Sequence, residues 1–157
     1  MRTIDLVDLL NEAQCFIDWI GHLNLGDRNE CWLGRNGGYL IVSLDAEGEL
    51  GILAKLGVVD PSKAAKYREY AQAKNLVLRH NPSAPSSVEA GFIAGGIRTS
   101  RGLRLAFSGL PSEGDEALVV FIAFRLKYMK REEAEGLLER HCNTFGSWAL
   151  AQIMSKI

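Results

Sequence analysis

Three carboxylates crowd one short stretch of this chain. Glu113, Asp115 and Glu116 lie in Ser108-Gly109-Leu110-Pro111-Ser112-Glu113-Gly114-Asp115-Glu116, directly after the strand-like run Leu103-Arg104-Leu105-Ala106-Phe107. A turn containing Gly109 and Pro111 leads from strand to helix, so the acids fall in the first helical turn. Ser112 is placed to cap that helix, its hydroxyl accepting from backbone N–H groups left unpaired at a helix start. Asp115, three residues on, stands where a capping box puts its acid, although Glu or Gln is the usual choice. All three acids sit at the positive end of the helix dipole, worth about 0.3–1 kcal/mol each when exposed. Capping alone accounts for them. The functional alternative has them lining a pocket mouth beside Gly95-Gly96.

Cations that could meet these acids are few. Lys74 falls on the apolar face of a helix with Tyr67, Tyr70 and Ala71. Either its stem lies along that face and the ammonium reaches water, or the ammonium is held near Asp115 or Glu116 or anchors an acidic ligand. A buried pair of that kind would shift both titrations, as functional sites often do. Arg98, Arg101 and Arg104 follow Gly95-Gly96. They read as a solvated hairpin end or, with glycine N–H groups, as a cradle for a carboxylate or phosphate. The candidate ligand-binding set is therefore Lys74, Gly95, Gly96, Arg98, Ser108, Glu113, Asp115 and Glu116, with no catalytic residue assigned.

Other chemistries find less support. Gly95-Gly96 lacks the third glycine and the strand-to-helix context of a dinucleotide fingerprint. His22, His80 and His141 are scattered, and none has a second His or Cys at metal-ligand spacing, so no metal is expected. His80 and His141 fall near helix C-termini, where a partly charged imidazole is favourable. Ser108 has no partner histidine nearby, which leaves a serine hydrolase triad unsupported. Cys15, Cys31 and Cys142 are odd in number and lack C-x-x-C spacing; reduced thiols behaving as small core hydrophobes are expected.

The motifs also stand in a recognisable order: Asp45 and Gly48 in a hairpin, Ala71 and Lys74 on a helix, Gly95-Gly96, then Ser108, Gly109, Glu113, Asp115 and Glu116. Over roughly residues 39 to 128 the chain resembles the GlcG/HbpS-like family of haem-binding or haem-degrading-type domains. It departs from the family pattern in Ala94 before Gly-Gly and in Gly114 within the last motif. Residues 25 to 38 and those after Lys130 look like additions. The resemblance implies a profilin-like fold and binding or sensing of a small molecule: haem, another tetrapyrrole or a small organic acid. It also implies a homo-oligomer. Haem would need an axial ligand, and no histidine falls on a motif position. The competing readings are an enzyme acting on a small acidic substrate and a non-catalytic assembly module.

These residues need elements to position them. Leu6, Leu9, Leu10, Ala13, Phe16, Ile17, Ile20 and Leu23 predict an amphipathic helix over residues 4 to 24, stopped at Gly26-Asp27. Asn36-Gly37-Gly38 reads as a hairpin turn. Tyr39 to Leu44 and Leu50 to Leu56 read as paired strands around a turn in which Gly48 takes a positive φ. Asp60-Pro61 opens a helix that runs to about Arg79 or His80. Phe92-Ile93-Ala94 and Leu103 to Phe107 read as strands. The helix after Ser112 is apolar nearly all round from Ala117 to Phe124, hence deeply packed. Beyond Met129, Leu137, Leu138, Phe145, Trp148 and Ile153 mark one or two amphipathic helices, broken near Asn143 to Gly146. They bury themselves by folding back or by pairing with another copy.

The pattern is α+β with an antiparallel sheet flanked by helices, because the hairpin links are too short for parallel crossovers. One domain over residues 1–157 is expected, with a core at about 39–128 and a C-terminal helical extension at about 130–157. Its 47% hydrophobic and 24% charged residues are ordinary for a globular chain. A formal net charge of −1 argues against a general nucleic-acid or membrane-surface binder. With no basic-then-apolar leader and no span-length apolar run, a cytoplasmic location is expected.

Overall fold

The apolar periodicity near the start winds into α1 (Leu6–Leu23), capped by the Asp5 carboxylate, which accepts from the Asp8 N–H at 3.1 Å. Leu9, Ala13, Phe16, Ile17 and Ile20 form its buried face. The helix stops earlier than expected: Asn24 adopts the left-handed conformation (φ 51°), which asparagine tolerates better than most residues. This computed structural model describes residues 5–47 and 51–155, so Ile4, Gly48 and Leu50, on which three expectations fell, lie outside the described residues. Two 3₁₀ turns, Leu25–Asp27 and Glu30–Trp32, then carry the chain to the sheet.

Four antiparallel strands make that sheet: β1 (Asn36–Leu44), β2 (Gly51–Val58), β3 (Gly96–Arg98) and β4 (Leu103–Ser108), in the order β2-β1-β4-β3. Asn36-Gly37-Gly38 is no turn but the start of β1. A Cβ on Gly38 would run into the Ser108 carbonyl of the neighbouring strand, so close backbone approach is what glycine allows here. Phe92-Ile93-Ala94 is likewise not a strand. That segment wraps around buried Ser87, whose hydroxyl donates to Ile93 O at 2.6 Å and accepts from Gly96 N–H at 3.0 Å.

Alternation along the strands splits the core in two. Tyr39, Ile41 and Ala106 face α2 (Ala64–His80), where they pack with Tyr67 and Ala71. Leu40, Val42, Leu103, Leu105 and Phe107 face α1 and α3 (Ser112–Arg125). Helix α2 begins later than expected, because the Asp60 carboxylate turns back to take the Ser62 N–H at 2.9 Å and its hydroxyl at 2.8 Å. Those hydrogen bonds hold the Asp60 carboxyl below its ordinary value.

The fold is thus α+β, an antiparallel sheet flanked by helices, with α4 (Arg131–Arg140) and α5 (Thr144–Met154) added at the end. The C-terminal pair folds back: Ala134, Leu137, Leu138, Ala149 and Leu150 join the core around α3. Asn143 makes the break between them, its side chain accepting from the Gly146 N–H at 2.7 Å. Trp148 remains 44% exposed. Among the described residues no helix is long and apolar enough to cross a membrane.

Candidate functional site

The head of α3 is built differently from an ordinary cap. The helix begins at Ser112 itself, and Pro111 occupies the cap position with no side-chain hydrogen bond. Asp115 instead points inward: its Oδ1 accepts from the Leu110 N–H at 2.8 Å and its Oδ2 from Lys74 Nζ at 3.1 Å. Both side chains are sealed, at 5% and 1% exposure. Burial pushes the Asp115 carboxyl up to about 6, against the opposing pull of Lys74, the Leu110 N–H and Arg35.

Lys74 completes a strand ladder. Phe107 N–H donates to Gly95 O at 2.9 Å, and the Phe107 carbonyl takes Lys74 Nζ at 2.7 Å in place of a strand N–H. Gly95, at φ 119°, makes room: a Cβ there would lie 2.6 Å from the ammonium and 2.6 Å from Phe107 O. Lys74, Asp115, Gly95 and Gly96 are therefore brought together, but as a closed joint between α2, β4 and α3. The ammonium has no water-facing side from which to meet a ligand.

Glu116, one residue on, points to a different partner. Its Oε2 lies 2.8 Å from His141 Nδ1, and its Oε1 accepts from Asn143 Nδ2 at 3.1 Å. The other ring nitrogen, Nε2, lies 3.0 Å from Glu89 Oε1 and 3.4 Å from Ser86 Oγ. Arg140 Nη2 donates to the same Glu89 oxygen at 2.9 Å. Burial raises the Glu89 carboxyl, but hydrogen bonds from Arg140 and His141 outweigh it and hold the group below its ordinary value. A ring carrying one proton can donate to one carboxylate alone, and each acid has a further donor, Arg140 for Glu89 and Asn143 for Glu116. Ser86, His141 and Glu116 have the connectivity of a nucleophile triad. Ser86, however, is 0% exposed and its Oγ already accepts the Glu89 N–H at 3.1 Å, so it cannot reach a substrate.

Beside this chain opens a cavity of about 360 Å³, bordered by Glu113, Glu116, His141, Asn143, Cys31 and Cys142. Ala94 also lines it, whereas Asp115, Gly95 and Gly96 do not. All three cysteines are exposed free thiols, not core hydrophobes. Among the described residues no three His, Cys, Asp or Glu side chains converge to hold a metal ion.

The remaining predicted residues lie elsewhere. Arg98 is in β3, where its Nε pairs with Asp45 at 2.9 Å and its Nη atoms take the carbonyls of Leu78 in the last turn of α2 and of Asn81 and Ala84 beyond it. Arg104, 2% exposed, holds Asp45 from β4 at 2.8 Å. Arg98 and Arg104 thus hold the chain's own carboxylate, while Arg101 is exposed in the turn between β3 and β4. Ser108 is buried at the end of β4, opposite Tyr39. Of the eight candidates, Glu113 and Glu116 border the cavity. Sequence reasoning missed His141, Asn143 and Glu89, whose one legible signal was His141 beside a helix break.

Comparison of the chain with protein-family models, with curated proteins and with solved structures gives no match.

Proposed function

We propose that this chain binds a small polar molecule in the cavity at the head of α3. The observation that carries the reading is the Glu116–His141–Glu89 chain on the cavity's edge, a polar network whose Glu116 and His141 side chains are largely buried and which runs out to the exposed Glu89. Its volume of about 360 Å³ falls in the range of small-molecule sites. Glu113, on the cavity's border, favours a ligand that donates hydrogen bonds. The likeness to GlcG/HbpS-like domains rests on sequence motifs alone and keeps haem, other tetrapyrroles and small organic acids among the compounds to try. For haem, His141 has both ring nitrogens engaged, so iron ligation would require it to leave a carboxylate.

An enzyme reading is favoured by one feature, a histidine held between acids beside a cavity, which suits proton transfer. Assembly into a homo-oligomer is proposed as well. Because α4 and α5 already bury their apolar faces, such contacts would use surfaces like that around Trp148. Light scattering of the full chain tests it.

The deciding experiment is an NMR titration with haemin, small carboxylic acids and small amines. Shift changes confined to residues 112–116 and 141–143 are expected for at least one amine or other donor-rich compound. Changes elsewhere only would sink the reading, and an unmoved Soret band would drop haem first.

A further inference from the structure

A second hollow, of about 340 Å³, opens at the far end of α3, between α1, α3 and α5. Its walls are Phe16, Trp19, Phe121 and Ile153, and two of its polar groups are Glu12 and Arg125. Mostly apolar walls with a few polar groups to orient the guest are what small-molecule sites share. The rings stand around the opening rather than in one plane. Phe16 lies 5.0 Å from Phe121 and 5.7 Å from Trp19, tilted by 38° and 56°.

The charged groups are incompletely committed to each other. Arg125 Nε and Nη2 lie 3.3 and 3.4 Å from the two Glu12 oxygens, longer than the roughly 2.7–2.9 Å of a tight charge-assisted bond. Their side chains are 36% and 24% exposed. A guest bearing only a carboxylate would bond Arg125 while facing Glu12. A guest bearing only an ammonium would face Arg125. A guest carrying both charges satisfies each partner, and a flat apolar body covers the wall formed by Trp19, Phe121 and Ile153.

We propose that this hollow binds a small zwitterion with an aromatic body, such as an aromatic α-amino acid. Its carboxylate lies on Arg125, its ammonium on Glu12, and its ring against the wall of Trp19, Phe121 and Ile153. The site is separate from the cavity at the head of α3 and does not depend on it.

Calorimetry on the full chain tests this with three compounds: L-phenylalanine, 3-phenylpropanoate, which lacks the ammonium, and 2-phenylethylamine, which lacks the carboxylate. L-Phenylalanine should bind at least about tenfold more tightly than either analogue, a difference of about 1.4 kcal/mol. Arg125→Gln should weaken L-phenylalanine by a similar factor. Glu12→Gln should weaken L-phenylalanine yet strengthen 3-phenylpropanoate, a crossover that loss of packing alone cannot produce. Cys15 also lines the hollow. Its alkylation by iodoacetamide should slow when L-phenylalanine is present, while Cys31 and Cys142 react unchanged. Equal binding of the three compounds, no L-phenylalanine binding at millimolar concentration, or protection of Cys31 instead of Cys15 overturns the proposal. Should a variant fail to fold, the three compounds and the alkylation pattern on the unaltered chain decide it.

Discussion

Lys74 and Asp115 meet at 3.1 Å inside the protein, one from α2 and the other from the head of α3. The ammonium's second bond, to Phe107 O, fastens the same joint to β4. Removing one member leaves the other charged and dry, a loss of about 3–5 kcal/mol by analogy with other buried pairs. Lys74→Met should fall in that range by urea unfolding, and Lys74→Met with Asp115→Leu should lose less than the sum of the single changes. Additive losses would show that the pair is not coupled.

Acid should favour the folded state through Asp115. Its carboxyl rises from 3.8 to about 6 on folding, so between those values the native chain holds a proton that the unfolded chain has released. Stability from this group is greatest below the unfolded value and falls as pH rises through that window. Asp115→Asn imitates the protonated form. Its stability relative to the unaltered chain should therefore climb as pH rises from about 4 to about 6, by an amount on the order of 3 kcal/mol for a two-unit shift, on top of a pH-independent loss from leaving the Lys74 ammonium without its anion. A difference that stays flat across the window contradicts this account.

Gly95 should tolerate no side chain. Gly95→Ala combines a φ of 119° with a Cβ placed 2.6 Å from both Lys74 Nζ and Phe107 O. A loss of at least about 2 kcal/mol is expected from the backbone strain and the displaced ammonium. A thermal midpoint within a degree or two of the unaltered chain would be the contrary result.

His141→Ala should strand Glu116 with Asn143 as its remaining side-chain partner. The expected cost is on the order of 2–3 kcal/mol for a buried carboxylate that loses a hydrogen bond. His141→Gln, whose amide can still donate to Glu116, should recover part of it. Chemical denaturation of the two variants side by side gives the comparison, and equal losses would remove the hydrogen bond from the explanation.

How much of this was legible beforehand follows from sequence separation. The long helices and the first hairpin showed themselves because their apolar periodicity is local. β3, three residues long, is too short to show a pattern, and Gly96 within it read as part of a turn. Lys74 against Asp115 or Glu116 stood among the sequence readings because both ends lay in recognisable motifs; burial chose Asp115. His141 escaped because its partners Glu116 and Glu89 are 25 and 52 residues away, a distance no local spacing rule spans. The acids themselves read either as cap residues or as the mouth of a pocket, but Asp115 and Glu116 are buried, since the helix they open is apolar on every side and has no wet face to offer them.

The aromatic residues around α3 form one connected series. Trp32 touches Phe145, Phe145 touches Trp148, Trp148 stacks on Trp19, and Trp19 leads through Phe16 to Phe121. All three tryptophans of the chain therefore lie on the α1–α3–α5 side of the sheet, while Tyr39 and Tyr67 lie on the α2 side. Indole emission is consequently a one-sided witness to unfolding. Recorded against far-ultraviolet dichroism, it would reveal whether the two halves of the molecule melt in a single step or whether α2 lets go of the sheet unseen.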